Sequence, residues 1–365
     1  MVFVDGIVLT QKFKPGAIRE LAGIRKIAYR QAGDINLEGK AVEAEEIVGD
    51  SFTSAWIIGS HDSKLQVRSD GTTLSIKGNP GKWGRPDNLF NLGLDATIEK
   101  ANEIVAGQGF PAGAFHGGKR DPFTQSQLAK LDLKSGDIPE DPWTGSRVWS
   151  IHLTQNYATG SAESAKMVID WLNTQSVARV KKSRLGATTV VWGSIKYCQV
   201  ECYVKADELL AHAKGDEAKA LVRNSDAYKY ANENGIIRLE IKLAKDFLKA
   251  KKLTYLGNWD MGTVTRIFEE KAEILNRCSV SRAEDDEAML AALPARSRVH
   301  AALWLQGVDV AKYMSRATLF RHAKVLREYG IDIVEKRNIE IARPKLREVS
   351  VSALGVPEWY SLQAA

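Results

Sequence analysis

Between residues 147 and 244 the hydrophobic period of the chain switches in an order that few folds accommodate. Strand "RVWSIHLTQ" is followed by helix "SAESAKMVIDWLNTQ", strand "ATTVVWG", strand "YCQVECYV", helical material over 205–234, and strand "IIRLEIKLA". This β-α-β-β-α-β order predicts an α+β unit with an antiparallel ferredoxin-like or RRM-like sheet, helices on one face and the other face free for a ligand. Strand side chains alternate, so parity sorts each strand between the two faces. Trp149, Ile151 and Leu153 are expected in the core, with Val200, Cys202 and Val204 and with Ile237, Leu239 and Ile241. The opposite face then carries Ser150, His152 and Thr154, Glu201, Tyr203 and Lys205, and Arg238, Glu240 and Lys242. Three strands thus contribute to one polar face.

Around this unit, "VDGIVLTQ" reads as a strand and "SKLQVRSDGTTLSIKG" as a hairpin turning at Ser69-Asp70-Gly71. "LDATIEKANEIVAGQG" reads as a helix closed by glycine, and 108–146, rich in Gly, Pro, Asp and Lys, as a long loop suited to lie over a site. Past about 256 the pattern becomes helical, so the expected division is a 1–255 domain around the 147–244 core and a 256–365 helical domain. "SRVHAALWLQGVDVAKYMSRATLFRHAKVLREYGIDI" has the outline of a helix-turn-helix, with a turn at Met314-Ser315 and a basic helix ending at Gly330. "IVEKRNIEIARPKLREVSV" alternates as a β wing would. From Arg296 to Glu348 there are 12 Lys+Arg against 6 Asp+Glu, which accounts for the whole net charge of +6 and favours a polyanionic partner for this part of the chain.

No run approaches the roughly 18 apolar residues of a membrane span, and "MVFVDGIVLTQKF" lacks the basic start and cleavage site of a signal peptide. A cytoplasmic protein with no membrane partner is the expectation. Cys198, Cys202 and Cys278 have no zinc-site spacing and are read as reduced thiols.

A tyrosine attacks poorly at neutral pH because its pKa is about 10; it needs a nearby cation and an activated electrophile. Lys205, two residues after Tyr203, supplies a cation, and a divalent ion, Mg²⁺ or Mn²⁺, would activate a phosphodiester. His152 and Glu240 are the natural ligands on the same face, with Glu201 as a third. Each residue also has an ordinary alternative. Tyr203 can be a packing aromatic, His152 a hydrogen-bonded structural residue, and Glu240 a rung of a charge ladder with Arg238 and Lys242. Tyr197 shares the parity of Tyr203 on an unbroken strand and competes as nucleophile, although no lysine follows it at the same distance. "KGNPGKWGRPDN" is either a Gly/Pro connector or a DNA-contacting loop, in which Lys77, Lys82 and Arg85 meet phosphates and Trp83 stacks on an unpaired base. Arg316, Arg321, Lys324 and Arg327 are either a solvated helix face or contacts to DNA.

Several of these stretches, "VDGIVL", "DSKLQVRSDGTTLSIKGNPGKWGRPDNLF", "ECYVKADEL", "IIRLEIKLAKDFLK" and "LWLQGVDVAKYMSRATLFRHAKVLREYGIDI", together resemble the gene II/gene X replication initiators of filamentous phages across nearly the whole chain. The resemblance implies that Tyr203 is the nucleophile that nicks the viral strand of the double-stranded form, with Lys205 as its accompanying lysine. It implies an HUH-endonuclease-like fold, whose His-U-His metal motif is matched here by His152-Leu153-Thr154. The second histidine is missing, so Glu240, or a loop residue such as His116, would complete the site. The implied activity is a site- and strand-specific DNA endonuclease and transesterase that starts rolling-circle replication. It would form a 5′-phosphotyrosine link and leave a 3′ hydroxyl for the host polymerase. The C-terminal unit would locate the double-stranded origin, with single-stranded viral DNA and a host helicase as further partners. The alternatives are a non-catalytic DNA-binding regulator of the gene X type and a tyrosine recombinase; the second lacks support because Tyr360, the last tyrosine, has no Arg-Lys-His-Arg company.

Overall fold

The computed structural model describes residues 1–23, 25–30, 46–52, 54–61, 63–130, 140–174, 182–184, 187–276, 290–329, 331–334 and 349–362. The protein is mixed α+β, and the strand pairs with an assigned register are antiparallel. It divides into two compact units. One is built mainly of Val4–Ile151 and Lys245–Met261, the other of His152–Ala244 and Gly262–Tyr360 together with Met1–Phe3. Neither coincides with the 1–255 and 256–365 division expected from the sequence.

The first unit holds β1 (Phe3–Lys12), β2 (Glu20–Leu21), β3 (Arg25–Arg30), β4 (Glu46–Phe52), β5 (Ala55–Ile58), β6 (Lys64–Asp70) and β7 (Thr73–Gly78). Its sheet runs β2-β6-β7-β1, with β5 also on β6, while among the described residues β3 and β4 form a separate two-stranded sheet. Helices α1 (Leu94–Ala106) and α2 (Gln125–Leu128) follow, then β8 (Arg147–Ala158), whose first residues belong to this unit. The predicted hairpin forms because Asp70 Oδ1 accepts hydrogen bonds from the Thr72 and Thr73 N–H groups and Gly71 supplies a φ of 83°. Alternation then buries Ile7, Leu9, Leu65, Val67, Leu74 and Ile76, and leaves Lys12, Lys64, Arg68 and Lys77 exposed on the other face. The 108–146 segment is less featureless than expected. A capping box joins Thr124 and Gln127 at the start of α2, and Arg120 bridges to Trp143.

The second unit continues β8 from His152 through α3 (Ala162–Leu172), β9 (Lys182–Arg184), β10 (Thr189–Ser194) and β11 (Cys198–Val204). Next come α4 (Lys205–Ala211), α5 (Asp216–Asn224), α6 (Asp226–Glu233) and β12 (Ile236–Ala244). The expected element order is present, but the strand order is not ferredoxin-like. That arrangement sets the first strand between the third and fourth, whereas the sheet here runs β8-β12-β11-β10-β9. The cause is the direct antiparallel pairing of β11 with β12 over seven residue pairs, from Cys198↔Leu243 to Val204↔Ile237. The chain passes through α4–α6 and returns to the neighbouring strand. Cys202, Leu239 and Ile241 are fully buried as parity predicts, each aliphatic side chain contributing roughly 2 kcal/mol.

Helix α7 (Lys245–Ala250) belongs to the first unit; α8 (Met261–Asn276), α9 (Ala295–Leu305), α10 (Arg316–Arg327) and the short strand β13 (Ser352–Ala353) follow it in the chain. Trp304, Val310, Leu319, Leu326 and Ile331 form an apolar cluster joining α9 to α10. Ser315 caps α10, its Oγ accepting from the Thr318 N–H at 3.2 Å. The expected end of this helix at Gly330, most of the expected wing and Cys278 lie outside the described residues. Cys198 and Cys202 are free thiols, and no helix among the described residues is long and apolar enough to cross a membrane.

Candidate active site

Register alone brings the polar residues of β11 and β12 together. Glu201 stands opposite Glu240, Tyr203 opposite Arg238, and Gln199 opposite Lys242. Cross-strand partners share a face, so the carboxylates and the tyrosine converge without any long-range bend. β8 adds His152, whose Nδ1 is 3.0 Å from Glu240 Oε1. The other oxygen of the same carboxylate, Oε2, lies 3.4 Å from the Tyr203 hydroxyl, a long contact for an O–H donor. Glu240 therefore sits between an imidazole and a phenol. Lys242 Nζ is 2.8 Å from Glu201 Oε2 and 3.7 Å from Glu240 Oε1. Burial would pull this ammonium down, but the charges of Glu240 and Glu201 outweigh it, and its pKa lies above the usual lysine value.

The face is not open along its whole length, as the sequence suggested. His152, Glu201 and Lys242 are partly exposed, whereas Tyr203 is 7% exposed and Thr154, Lys205 and Arg238 are fully buried. Arg238 donates from Nε to Asn156 Oδ1 at 2.9 Å and packs over the Phe3 ring. Lys205 opens α4, and its Nζ donates to Glu208 Oε2 at 2.6 Å, while His212 Nε2 lies 3.1 Å from Glu208 Oε1. The cation directly across from Tyr203 is thus Arg238, which parity placed on the polar face as a member of the alternative charge ladder with Glu240 and Lys242. Thr154 Oγ1 is buried with no hydrogen-bond partner among the described residues. Tyr197 is not on β11: it lies in the β10–β11 turn, its N–H donating to Ser194 O, and is 47% exposed. Trp149, expected in the core, is only half-buried, because its indole N–H reaches Thr10 Oγ1 at 2.8 Å.

The fit to a divalent ion is partial. Hard cations such as Mg²⁺ are held by one or two carboxylates and complete their shell with water and phosphate oxygens. His152 and Glu240 suit that role, but Glu201 is neutralised by Lys242, which bridges the two carboxylates. Among the described residues no group of three His, Cys, Asp or Glu side chains is gathered as an ion site. His116 is exposed and belongs to the other unit, its N–H donating to Ser146 Oγ and its carbonyl accepting from the Ser146 N–H.

Glu208 gives this region an acid-sensitive pin. Burial would raise its carboxyl, but the Lys205 ammonium, the His212 contact and Arg238 outweigh burial and hold it far below the usual carboxylate range. A depressed folded-state value contributes stability above the unfolded-state value near 4. That contribution fades as pH falls toward the folded value. Glu208→Gln removes the carboxylate charge that the buried Lys205 ammonium contacts at 2.6 Å and is expected to destabilise this unit by about 3 kcal/mol at pH 7. The check is melting of wild type and variant at pH 7 and pH 3, with the gap narrowing at pH 3; a gap independent of pH would contradict the assignment.

The expected DNA-contacting residues separate into two groups. Lys77 is exposed on β7, while Lys82 and Trp83 are half-buried in the loop after it. Arg85 departs from the expectation: it is 3% exposed, and its guanidinium donates to the carbonyls of Gly81 at 2.7 Å and Phe90 at 2.8 Å. It shapes the loop instead of facing phosphate. The same loop closes on Asp5, which accepts from the side-chain amides of Asn79, Asn88 and Asn91. The Asp5 contacts were not signalled by local composition, since they depend on β1 lying beside β7, whereas the Arg85 bonds close within its own loop. On α10, Arg316, Arg321 and Lys324 are exposed, and Arg327 is half-buried and bonded to Asp332 at 2.8 Å.

Residues 140–262 match the family model for the N-terminal part of the phage replication-associated gene II protein, and residues 291–364 match the model for its C-terminal part. Among curated proteins the chain is similar to the replication-associated protein of this type from Escherichia phage If1, 27% identical over 324 residues, covering 81% of this chain and 97% of that protein. It is also similar to the protein of the same description from Enterobacteria phage I2-2, 24% identical over 320 residues, covering 83% of this chain and 85% of that one. No solved structure matches the chain.

Proposed function

Since this chain belongs to the filamentous-phage gene II family of replication-associated proteins, we propose that it initiates phage DNA replication by nicking one strand of the double-stranded origin through a tyrosine-linked intermediate. The observation that carries the reading is the Glu240 carboxylate, with His152 at 3.0 Å on one oxygen and the Tyr203 hydroxyl at 3.4 Å on the other. Glu240 accepts the phenolic proton as Tyr203 Oη bonds to phosphorus. The P–O3′ bond breaks, the departing oxygen takes up a proton, and the 5′ phosphate stays on the tyrosine. Arg238, directly across the strand pair, favours the phenolate that develops. His152 and Glu240 would hold a divalent ion, Mg²⁺ or Mn²⁺, which supplies charge to polarise the phosphoryl oxygens. The 3′ hydroxyl released is a primer for a host polymerase, and a host helicase would open the duplex ahead of it.

The test is conversion of supercoiled origin DNA to the open circle in Mg²⁺. Site-specific nicking is expected. Tight origin binding with no nick under any divalent ion would leave a non-catalytic replication regulator as the better account.

In the same reading α10 is the recognition helix of a helix-turn-helix whose basic face engages duplex origin DNA. Arg321→Ala and Lys324→Ala should each weaken duplex binding and lower the slope of log affinity against log salt by about 0.9 per lost phosphate contact. Cleavage of a single-stranded origin oligonucleotide should barely change. An unaltered duplex salt slope in the double variant would remove α10 from the interface.

A further inference from the structure

The sheet of the first unit has a second face that the nicking site does not use. One face is packed with Ile7, Leu9, Leu65, Val67, Leu74 and Ile76. On the other, Trp56 of β5 lies opposite Gln66, Gln66 opposite Lys77, and Lys77 opposite Val8. The adjacent row carries Arg68, Ser75 and Thr10, and Thr10 receives the Trp149 indole N–H. Trp56 is 59% exposed, and its strand neighbour of equal parity, Ile58, is 69% exposed. Two tryptophans thus stand four strand spacings apart, about 19 Å, on a surface studded with Lys64, Arg68 and Lys77.

Positive charge predominates on this face. The acidic residues of these strands on it, Glu20 and Asp70, stand opposite each other at the β2–β6 edge, away from Lys77, and Asp70 accepts the hydrogen bonds of its turn. At the far side the Arg147 guanidinium lies between two rings, 5.6 Å from the Trp149 centroid and 5.1 Å from that of Tyr255. Lys245 Nζ is 5.1 Å from the Trp149 ring. Arg147 Nε is buried with no hydrogen-bond partner among the described residues, beside the two ring contacts of the guanidinium.

We infer that this face binds single-stranded DNA, with Trp56 and Trp149 stacking on unpaired bases and the lysines and arginines between them meeting phosphates. Stacking platforms on a sheet with flanking cations suit exposed base faces, which a duplex hides. The inference rests on the proposed function only in choosing DNA as the nucleic acid; it does not require Tyr203 to be the nucleophile. The face would hold the displaced or viral strand independently of sequence.

The experiment is fluorescence anisotropy of a labelled oligothymidylate of about 20 nucleotides, a length matched to single-strand sites of several nucleotides, with full-length protein across a salt series. It uses EDTA and a Tyr203→Phe background, so cleavage chemistry plays no part and its failure is distinguishable. Trp56→Ala should weaken binding roughly tenfold and Trp56→Phe should restore most of it. Lys64→Ala and Arg68→Ala should each lower the salt slope by about 0.7, with duplex affinity unchanged. All three positions are solvent-facing, and the salt slopes give a second readout independent of the aromatic substitution. Unchanged affinity and slope, or losses equal for a duplex of the same length, would overturn the inference.

Discussion

Tyr203→Phe is expected to abolish nicking and adduct formation, a loss on the order of 10⁴-fold or more, because it deletes the attacking oxygen and nothing else. The hydroxyl makes a long contact to Glu240, so its removal should cost the fold no more than about 1 kcal/mol. Origin binding should persist, since the residues proposed to contact the duplex lie on α10. Tyr197→Phe is the paired control. That tyrosine is half-exposed in the β10–β11 turn, and its loss should leave nicking intact. Origin nicking assays on both variants decide the matter; nicking by Tyr203→Phe would sink the assignment.

Glu240→Gln should lower the nicking rate by about 10²–10⁴-fold, the range of a lost general base. The amide keeps the size of the side chain but neither accepts the phenolic proton nor offers a charged oxygen to an ion. His152 remains in place, and Lys242 retains Glu201 as partner at 2.8 Å. Duplex binding should therefore be unchanged, and the variant should melt near wild type. Single-turnover cleavage, set beside duplex affinity, separates the effect from loss of fold. A rate within a few-fold of wild type would mean that the proton leaves Tyr203 by another route.

How much was legible in the sequence follows the range of the interactions involved. Strand parity is local, and it correctly grouped Glu201, Tyr203, Arg238, Glu240 and Lys242, because β11 and β12 pair without a bulge. The hairpin at Ser69-Asp70-Gly71 and the turn at Met314-Ser315 were legible for the same reason, while the capping role of Ser315 came from the structure. Partner choice was less accessible. Lys205 is bonded to Glu208 three residues later on α4; the helix start at 205 was read from the sequence, but strand parity was carried one residue past the strand end and set Lys205 on the sheet face. Burial of Arg238 depends on Phe3 and Asn156, both distant in sequence. Trp149 reads as a core residue by period, yet its neighbours Thr10, Arg147 and Lys245 draw it to a polar surface. Arg85 reads as a phosphate contact in a Gly/Pro loop, but the carbonyls of Gly81 and Phe90 turn toward it and bury it. The ferredoxin-like order failed because element order alone does not say which strands become neighbours.

The most direct measurement of the central claim is the identity of the residue that becomes joined to DNA. A labelled single-stranded origin oligonucleotide, incubated with the protein and Mg²⁺, should yield a covalent complex. Protease digestion followed by mass spectrometry should then find the nucleotide on the peptide that contains Tyr203, linked through its 5′ phosphate. An adduct on Tyr197 or any other residue, or cleavage with no adduct at all, would contradict it.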